Sequence, residues 1–248
     1  MVHTMKEKIK ICAISDLHGR IEKLDIPPCD LLLIAGDIAP DKGRNLHSQA
    51  NWYRFKFRNW LNRQPAKEVV AVPGNHDYIC DSAERGLLYR HSLPCHLIWD
   101  ECVEVFGYKI WCSPWSLHFS QGYVFNIDED GLYKHIRHCP EDVDIILSHS
   151  PPKGILDVSA GENVGSGSVL NRIYEVQPLL VVCGHIHCQY GLSQAGDSLV
   201  INGSVVDSHN KLAKEPIVLE FSPEGYKIEQ IAEIHLDERY KPDAYENE

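Results

Sequence analysis

Asp16 and His18, and again His185 and His187, stand two residues apart. In an extended segment such residues point to the same side, so each pair presents two donor groups to one point. Three further places carry the same kind of group: Gly36-Asp37, Gly74-Asn75-His76-Asp77 and Ser148-His149. Carboxylate and imidazole together suit Mn, Fe or Zn better than Mg or Ca, which prefer all-oxygen shells. Asp16, His18, Asp37, Asn75, His149, His185 and His187 are too many donors for one tetrahedral ion, and they divide well between two. A carboxylate can hold one ion with each oxygen, which makes Asp37 the natural bridge. Two ions about 3.5–4 Å apart are the recurring apparatus of phosphoester hydrolysis. They give a hydroxide at neutral pH from a bridging water and steady the oxygens of an in-line displacement. His76 lies beside these donors without belonging to them, which leaves it free to transfer protons.

The elements that must position these groups read as short buried strands, each broken off at one of them. Ile9–Ser15 stops at Asp16, Asp30–Ala35 at Gly36-Asp37 and Val69–Val72 at Pro73-Gly74. Val143–Leu147 stops at Ser148-His149, where Pro151 and Pro152 prevent continuation, and Leu179–Cys183 stops at Gly184. Open α/β sheets gather ligands outside the carboxyl ends of their strands, so five such ends imply one site. Between the strands the periodicity predicts helices over 45–61, 83–91, 128–138 and 168–174. In the first of these, Tyr53, Phe57, Trp60 and Leu61 fall on one face, as in a helix packing an aromatic stripe on a sheet. Cys102–Val105 and Lys109–Cys112 read as a hairpin about Gly107-Tyr108, and the later strands as Leu199–Asn202, Pro216–Phe221 and Lys227–Ile234. Gly154 to Gly167 has the composition of a mobile binding loop, and the tail from Asp237 is charged.

The 248 residues, 44% of them apolar, suffice for a sizeable core, and no repeat or linker divides the chain, which reads as a single domain over 1–248. The net charge of -11 argues against an extended nucleic-acid surface or attraction to an anionic membrane, while leaving room for a local basic pocket. Residues 1–8 carry no apolar signal core, and no run reaches the length of a spanning helix. Nine cysteines without a C-x-x-C pair fit reduced core residues in the cytoplasm and give no thiolate zinc site.

Taken together, D-x-H, G-D, G-N-H-D, H and G-H-x-H occur in order from Asp16 to His187, and this set resembles the calcineurin-like metallophosphoesterase family. Ser148-His149-Ser150-Pro151-Pro152-Lys153-Gly154 and Val176-Gln177-Pro178 are similar to a narrower branch containing the mammalian metallophosphoesterase-domain (brain protein 239-like) proteins. The resemblance implies a four-layer αββα sandwich, two mixed sheets flanked by helices. It implies one divalent ion held by Asp16, His18, Asp37 and His187, and a second held by Asp37, Asn75, His149 and His185. It further implies that His76, paired with Asp77, stabilises the transition state or protonates the leaving oxygen. In that branch some members act on phosphodiesters, cyclic nucleotides included. The expectation is therefore a phosphodiesterase using two divalent ions, Mn2+ first and Fe or Zn next, on a small phosphorylated substrate such as a nucleotide. A phosphomonoesterase or protein phosphatase would use the same metals, and a non-catalytic scaffold would lack ligands. Trp115, His118 and Gly161–Gly167 are the expected pocket residues that separate the first two.

Overall fold

The computed structural model describes residues 6–41, 45–81 and 90–231, in which apolar β-branched runs have become two six-stranded sheets. The first contains β1 (Ile9–Ile14), β2 (Cys29–Ala35), β3 (Ala66–Val72), β4 (His96–Leu97), β15 (Ile217–Ser222) and β16 (Gly225–Gln230), in the order β16-β15-β1-β2-β3-β4. The second contains β5 (Glu101–Val105), β6 (Tyr108–Ser113), β9 (Ile145–Ser148), β12 (Leu180–Cys183), β13 (Gly191–Ala195) and β14 (Ser198–Asn202), in the order β13-β14-β12-β9-β6-β5. Two ribbons, β7 (Ser116–Leu117) with β8 (Asn126–Ile127) and β10 (Val158–Ser159) with β11 (Glu162–Asn163), lie outside them. Strands β1 to β4 run parallel, as do β6, β9, β12 and β14, and antiparallel strands flank both sets.

Alternation along these strands builds three layers of core. Ile11, Ala13, Leu31, Leu33, Val70 and Val72 face Ile110, Ile145, Leu147, Leu180 and Val182 between the sheets. The intervening residues Cys12, Ile14, Leu32 and Ile34 pack outward on Tyr53, Phe57, Trp60 and Leu61. Ile146, Val181 and Val200 pack outward on Leu132, Ile136, Val169 and Ile173. A strand buried on both faces must be apolar at every position, and this is why these runs lack the polar alternation of a solvated sheet. The result is the αββα sandwich of two mixed sheets. Its helices are capped as their sequences direct, Asp128 Oδ1 accepting from Gly131 N–H at 2.8 Å and Ser166 Oγ from Val169 N–H at 3.2 Å.

The helices at 128–138 and 168–174 appear as Glu129–Ile136 and Gly167–Val176. The hairpin turn is one residue earlier than expected, at Phe106-Gly107, both with positive φ, as a two-residue turn between right-twisted strands requires. The aromatic helix is not uniform: Leu46–Asn51 and Arg58–Leu61 are α-helical, and Trp52–Phe57 between them is a π-helix. Gly154 to Gly167 is tied at its base, where the buried Asp157 carboxylate accepts from Gly154 N–H, Gly165 N–H and Asn163 Nδ2, while the β10–β11 ribbon beyond it is mostly exposed. Residues 83–89 of the expected 83–91 helix, and the tail from Asp237, lie outside the described residues. Among the described residues no helix is long and apolar enough to cross a membrane.

Candidate metal centre

Five parallel strands deliver the candidate ligands to one edge of the sandwich: Asp16 follows β1, Asp37 follows β2, Asn75 follows β3, His149 follows β9 and His185 follows β12. The loops are laced to one another before any side chain is considered. Asp16 N–H donates to Gly36 O at 3.0 Å, His18 N–H to Asp37 O at 2.9 Å and Gly184 N–H to His149 O at 3.1 Å. Asp16, His18, Asp37 and His185 all have positive φ, between 41° and 67°. Non-glycine residues adopt this conformation at a cost, and its concentration here marks backbone held for the sake of its side chains. Two glycines make the crowding possible. A Cβ on Gly36 would lie 2.3 Å from His149 Nδ1, and one on Gly184 would lie 1.9 Å from Ser15 Oγ and 2.4 Å from Asp16 Oδ2.

The side chains form two adjoining clusters, Asp16 with His18 and His187, and Asp37 with His149 and His185, and His18 also groups with Asp41 and His76 at their edge. In the first, the Nε2 atoms of His18 and His187 face each other at 3.2 Å, and His187 Nε2 lies 3.4 Å from Asp16 Oδ1. In the second, His149 Nε2 lies 3.5 Å from Asp37 Oδ2 and 2.9 Å from Asn75 Oδ1. Asp37 Oδ2 also lies 3.7 Å from His18 Nε2, so this one atom faces both clusters. The sequence reading assigns each oxygen of Asp37 its own ion. Oδ1 accepts the His76 N–H at 2.8 Å and keeps a second lone pair, while Oδ2 faces the imidazoles of both clusters.

Divalent cations fit this arrangement. Metal–ligand bonds of about 2.1 Å place neighbouring donors on one ion about 3.0–3.4 Å apart, close to the spacings here. Two imidazole lone pairs pointed at each other repel unless a proton or a cation lies between them. The far nitrogens of two rings are already committed, His149 Nδ1 to Ala35 O at 2.8 Å and His187 Nδ1 to Asp207 O at 3.2 Å, which aims each Nε2 lone pair inward.

Charge tells the same story. Burial would raise Asp16, but the hydrogen bond and charge of His187 hold its carboxyl down to about 2. Burial likewise opposes ionisation of Asp37, yet His149 keeps it well below the carboxylate range. Burial pushes His18 down to about 4 and His185 down to about 3, whereas for His149 the charge of Asp37 overcomes burial and lifts it to about 9. Without a cation, a proton on His149 thus balances the buried carboxylates. A cation needs that imidazole neutral, so its uptake must release protons at any pH below about 9, and its affinity must rise as pH rises towards that value. Calorimetric titration of Mn2+ in buffers of different ionisation enthalpy reads this directly; uptake without proton release contradicts it.

His76 sits at the mouth of the centre, its Nε2 4.0 Å from Asp37 Oδ2. The expected partnership with Asp77 is not formed. Both Asp77 oxygens point into the protein, accepting Ile38 N–H at 3.1 Å, Ala39 N–H at 2.8 Å, Gly74 N–H at 2.7 Å and Tyr53 O–H at 2.9 Å. Burial raises the Asp77 carboxyl, with the charge of Asp37 adding to the effect. Asp77 is therefore the clamp between the Gly36-Asp37 and Gly74-Asn75 turns. Asp77→Ala is expected to lower the free energy of unfolding by about 3 kcal/mol, because three backbone donors lose their acceptor in the interior. A urea unfolding curve within about 1 kcal/mol of the parent contradicts this role. The acid beside His76 is Asp41, whose Oδ1 lies 2.9 Å from His76 Nδ1.

Sequence reasoning missed Asp41 and Tyr123, and it named Phe119 only as the end of the aromatic, polar loop that begins at Ser113. The Phe119 ring is 54% exposed and centred 5.4 Å from the His185 ring, and Tyr123 is 5.0 Å from His76. Only the stretch of aromatic and polar residues from Trp115 onward hinted at them. Trp115 itself is occupied elsewhere, donating to Asp100 and stacking on His135 with centroids 4.0 Å apart.

The profile of the calcineurin-like phosphoesterase family matches residues 9–189, from the start of β1 through His187. Human Metallophosphoesterase domain-containing protein 1 is 30% identical over 237 residues, covering 85% of this chain and 70% of that protein. A UPF0046 protein of Caenorhabditis elegans is 27% identical over 224 residues, covering 85% of this chain and 74% of its own. Among solved structures, TT1561 of Thermus thermophilus shares the fold with a TM-score of 0.51 at 17% identity, over 79% of this chain and 89% of that one. Every block of the ligand pattern falls inside the matched span, and the chain belongs to the calcineurin-like phosphoesterase family.

Proposed function

We propose that this chain is a phosphodiesterase that uses two divalent ions, Mn2+ foremost, to hydrolyse small nucleotide-like diesters, cyclic nucleotides included. The observation that carries the diester preference is the composition of the centre. The ion pairs of Asp16 and Asp37 are all with imidazoles; among the described residues no guanidinium or ammonium pairs with either carboxylate, and Lys214 beside them donates to His187 O at 2.6 Å and Val206 O at 3.0 Å. A phosphate monoester carries an extra negative charge that such a group would neutralise, whereas a diester is a monoanion and needs less. Phe119 and Tyr123 add an aromatic edge against which a second ester group can lie.

Asp16, His18 and His187 would hold one ion and Asn75, His149 and His185 the other, with Asp37 shared between them. Ions bound there supply an ionised water at neutral pH and charge for the phosphoryl oxygens. The rest falls to the protein. Asp37 is fixed by the His76 N–H, and the His76 ring, with Asp41 beside its Nδ1, faces the outgoing ester oxygen and hands it a proton.

The test is turnover of bis-p-nitrophenyl phosphate, p-nitrophenyl phosphate and a panel of cyclic nucleotides by the Mn2+-supplemented protein. Diester turnover at least about tenfold above monoester supports the proposal. The reverse order assigns a phosphomonoesterase, and metal binding without turnover of any substrate assigns a scaffold; either outcome removes it.

A further inference from the structure

A groove of about 1000 Å3 opens from His18 and runs away from the centre between the segment after β1, the π-helix and the 209–212 segment. Its charge is opposite to that of the chain. Arg20, Lys23, Lys56 and Lys211 line it against only Glu22 and Asp41, on a protein of net charge -11. Arg20 is anchored, its Nε donating to Asn210 O at 2.9 Å, while Asn210 Nδ2 donates to Asp41 Oδ2 at 3.0 Å. The groove wall is thereby tied through Asp41 to His76.

The same groove carries exposed aromatic surface. Tyr53 and Phe57 are fully buried under the sheet, but Phe55 between them is 57% exposed and lines the groove beside Trp52, whose ring stacks on Phe57 with centroids 5.5 Å apart. Two residues from Tyr53 along a helix, Phe55 falls on the opposite face, and Lys56 follows it there. The segment is a π-helix, a form that recurs at functional sites. Flat aromatic faces interleaved with cations are the surface on which nucleotides lie, bases stacked and phosphates paired.

From these observations we infer that the groove is a subsite for a nucleotide bearing a second phosphate, set beyond the phosphate at the metal centre. This rests on the phosphodiesterase reading for its place in the reaction, but not for its ligand chemistry. Lys214 at the centre is committed to His187 O and Val206 O, so the cations gathered along the groove are placed to serve a phosphate other than the one being cleaved.

Equilibrium binding to the full chain in Mn2+ tests the subsite without turnover. Calorimetry is expected to show adenosine 3′,5′-bisphosphate bound at least about tenfold more tightly than adenosine 5′-monophosphate, the difference shrinking as salt rises. Arg20→Ala combined with Lys211→Ala should reduce that ratio to about threefold or less, and Phe55→Ala should weaken the bisphosphate more than inorganic pyrophosphate. Both substituted cations are exposed, and Lys211→Ala alone, with about half the effect on a logarithmic scale, is the second variant. A 5′-phosphorylated single-stranded dinucleotide, titrated alongside, separates an oligonucleotide end from a free bisphosphate by which binds more tightly. Equal binding of bisphosphate and monophosphate, or a preference that survives the double substitution, overturns the subsite. Loss of all phosphoesterase activity with the preference intact sinks the catalytic proposal and leaves the subsite standing.

Discussion

Asp37→Ala is expected to remove bound metal and the proposed phosphoesterase activity together. Asp37 Oδ2 is the atom that faces both clusters, 3.7 Å from His18 Nε2 and 3.5 Å from His149 Nε2. Its removal takes a ligand from each ion at once and leaves His149 without the carboxylate that sets its charge. Elemental analysis after gel filtration should fall from about two ions per chain to well under one, and kcat/KM should fall by at least about 10³-fold. Asp16→Ala removes a donor from the first cluster only and should lose roughly one ion, although its carboxylate also accepts the His185 N–H at 3.0 Å, so the two variants together distinguish a shared ligand from a private one. An Asp37→Ala protein that still carries two ions refutes the assignment, whatever its activity. The variant also leaves the His76 N–H without its acceptor. Its unfolding curve must therefore be compared in the metal-free state, to separate a lost ligand from a loosened turn.

The ligand set was legible because it sits at strand ends. A β-branched run that stops at a Gly, Pro or Asp announces both the strand and the corner after it, and five such corners must converge if their strands lie side by side. Asp16 and His18 could thus be placed at one point without coordinates. What could not be read was which oxygen points where. Asp77 and Asp41 are both carboxylates within a few residues of the ligands, and residue type does not separate them. The difference lies in the turn after Asp37, whose Ile38 and Ala39 N–H groups point back at Asp77 and consume it, leaving Asp41 to meet the imidazole. The π-helix was hidden for a related reason. An aromatic stripe at 53, 57, 60 and 61 satisfies ordinary helical spacing, all four side chains are indeed buried and Phe55 is exposed as that spacing also requires, so nothing in the pattern marks the wider turn. The anchoring of the Gly154 to Gly167 loop was hidden because its Gly and Ser content announces a loop and not the buried acceptor, Asp157, that ties its base.

His76→Ala, in contrast to Asp37→Ala, should retain both ions and lose turnover selectively. The backbone N–H of residue 76, and not its side chain, holds Asp37, so the clusters survive truncation of the ring. What disappears is the proton held at the mouth of the centre, 4.0 Å from Asp37 and 2.9 Å from Asp41. General acid catalysis contributes about 10²–10⁴-fold, and its share grows as the leaving oxygen becomes more basic. The loss should therefore approach the upper figure for an alkyl or nucleoside ester and be far smaller for p-nitrophenolate, which departs without help. Asp41→Asn should show the same dependence on leaving group in weaker form, about tenfold on the nucleoside ester, because it stands beside the ring without carrying the proton. If His76→Ala slows both classes of substrate equally with its metal content intact, the imidazole is stabilising charge on the phosphoryl group and not protonating the leaving oxygen. If the ions are lost as well, His76 belongs to the ligand shell. A Brønsted plot over a series of aryl and alkyl methylphosphonate esters, run in parallel on parent and variant, decides among the three: steepening in the variant assigns the acid, and parallel lines remove it.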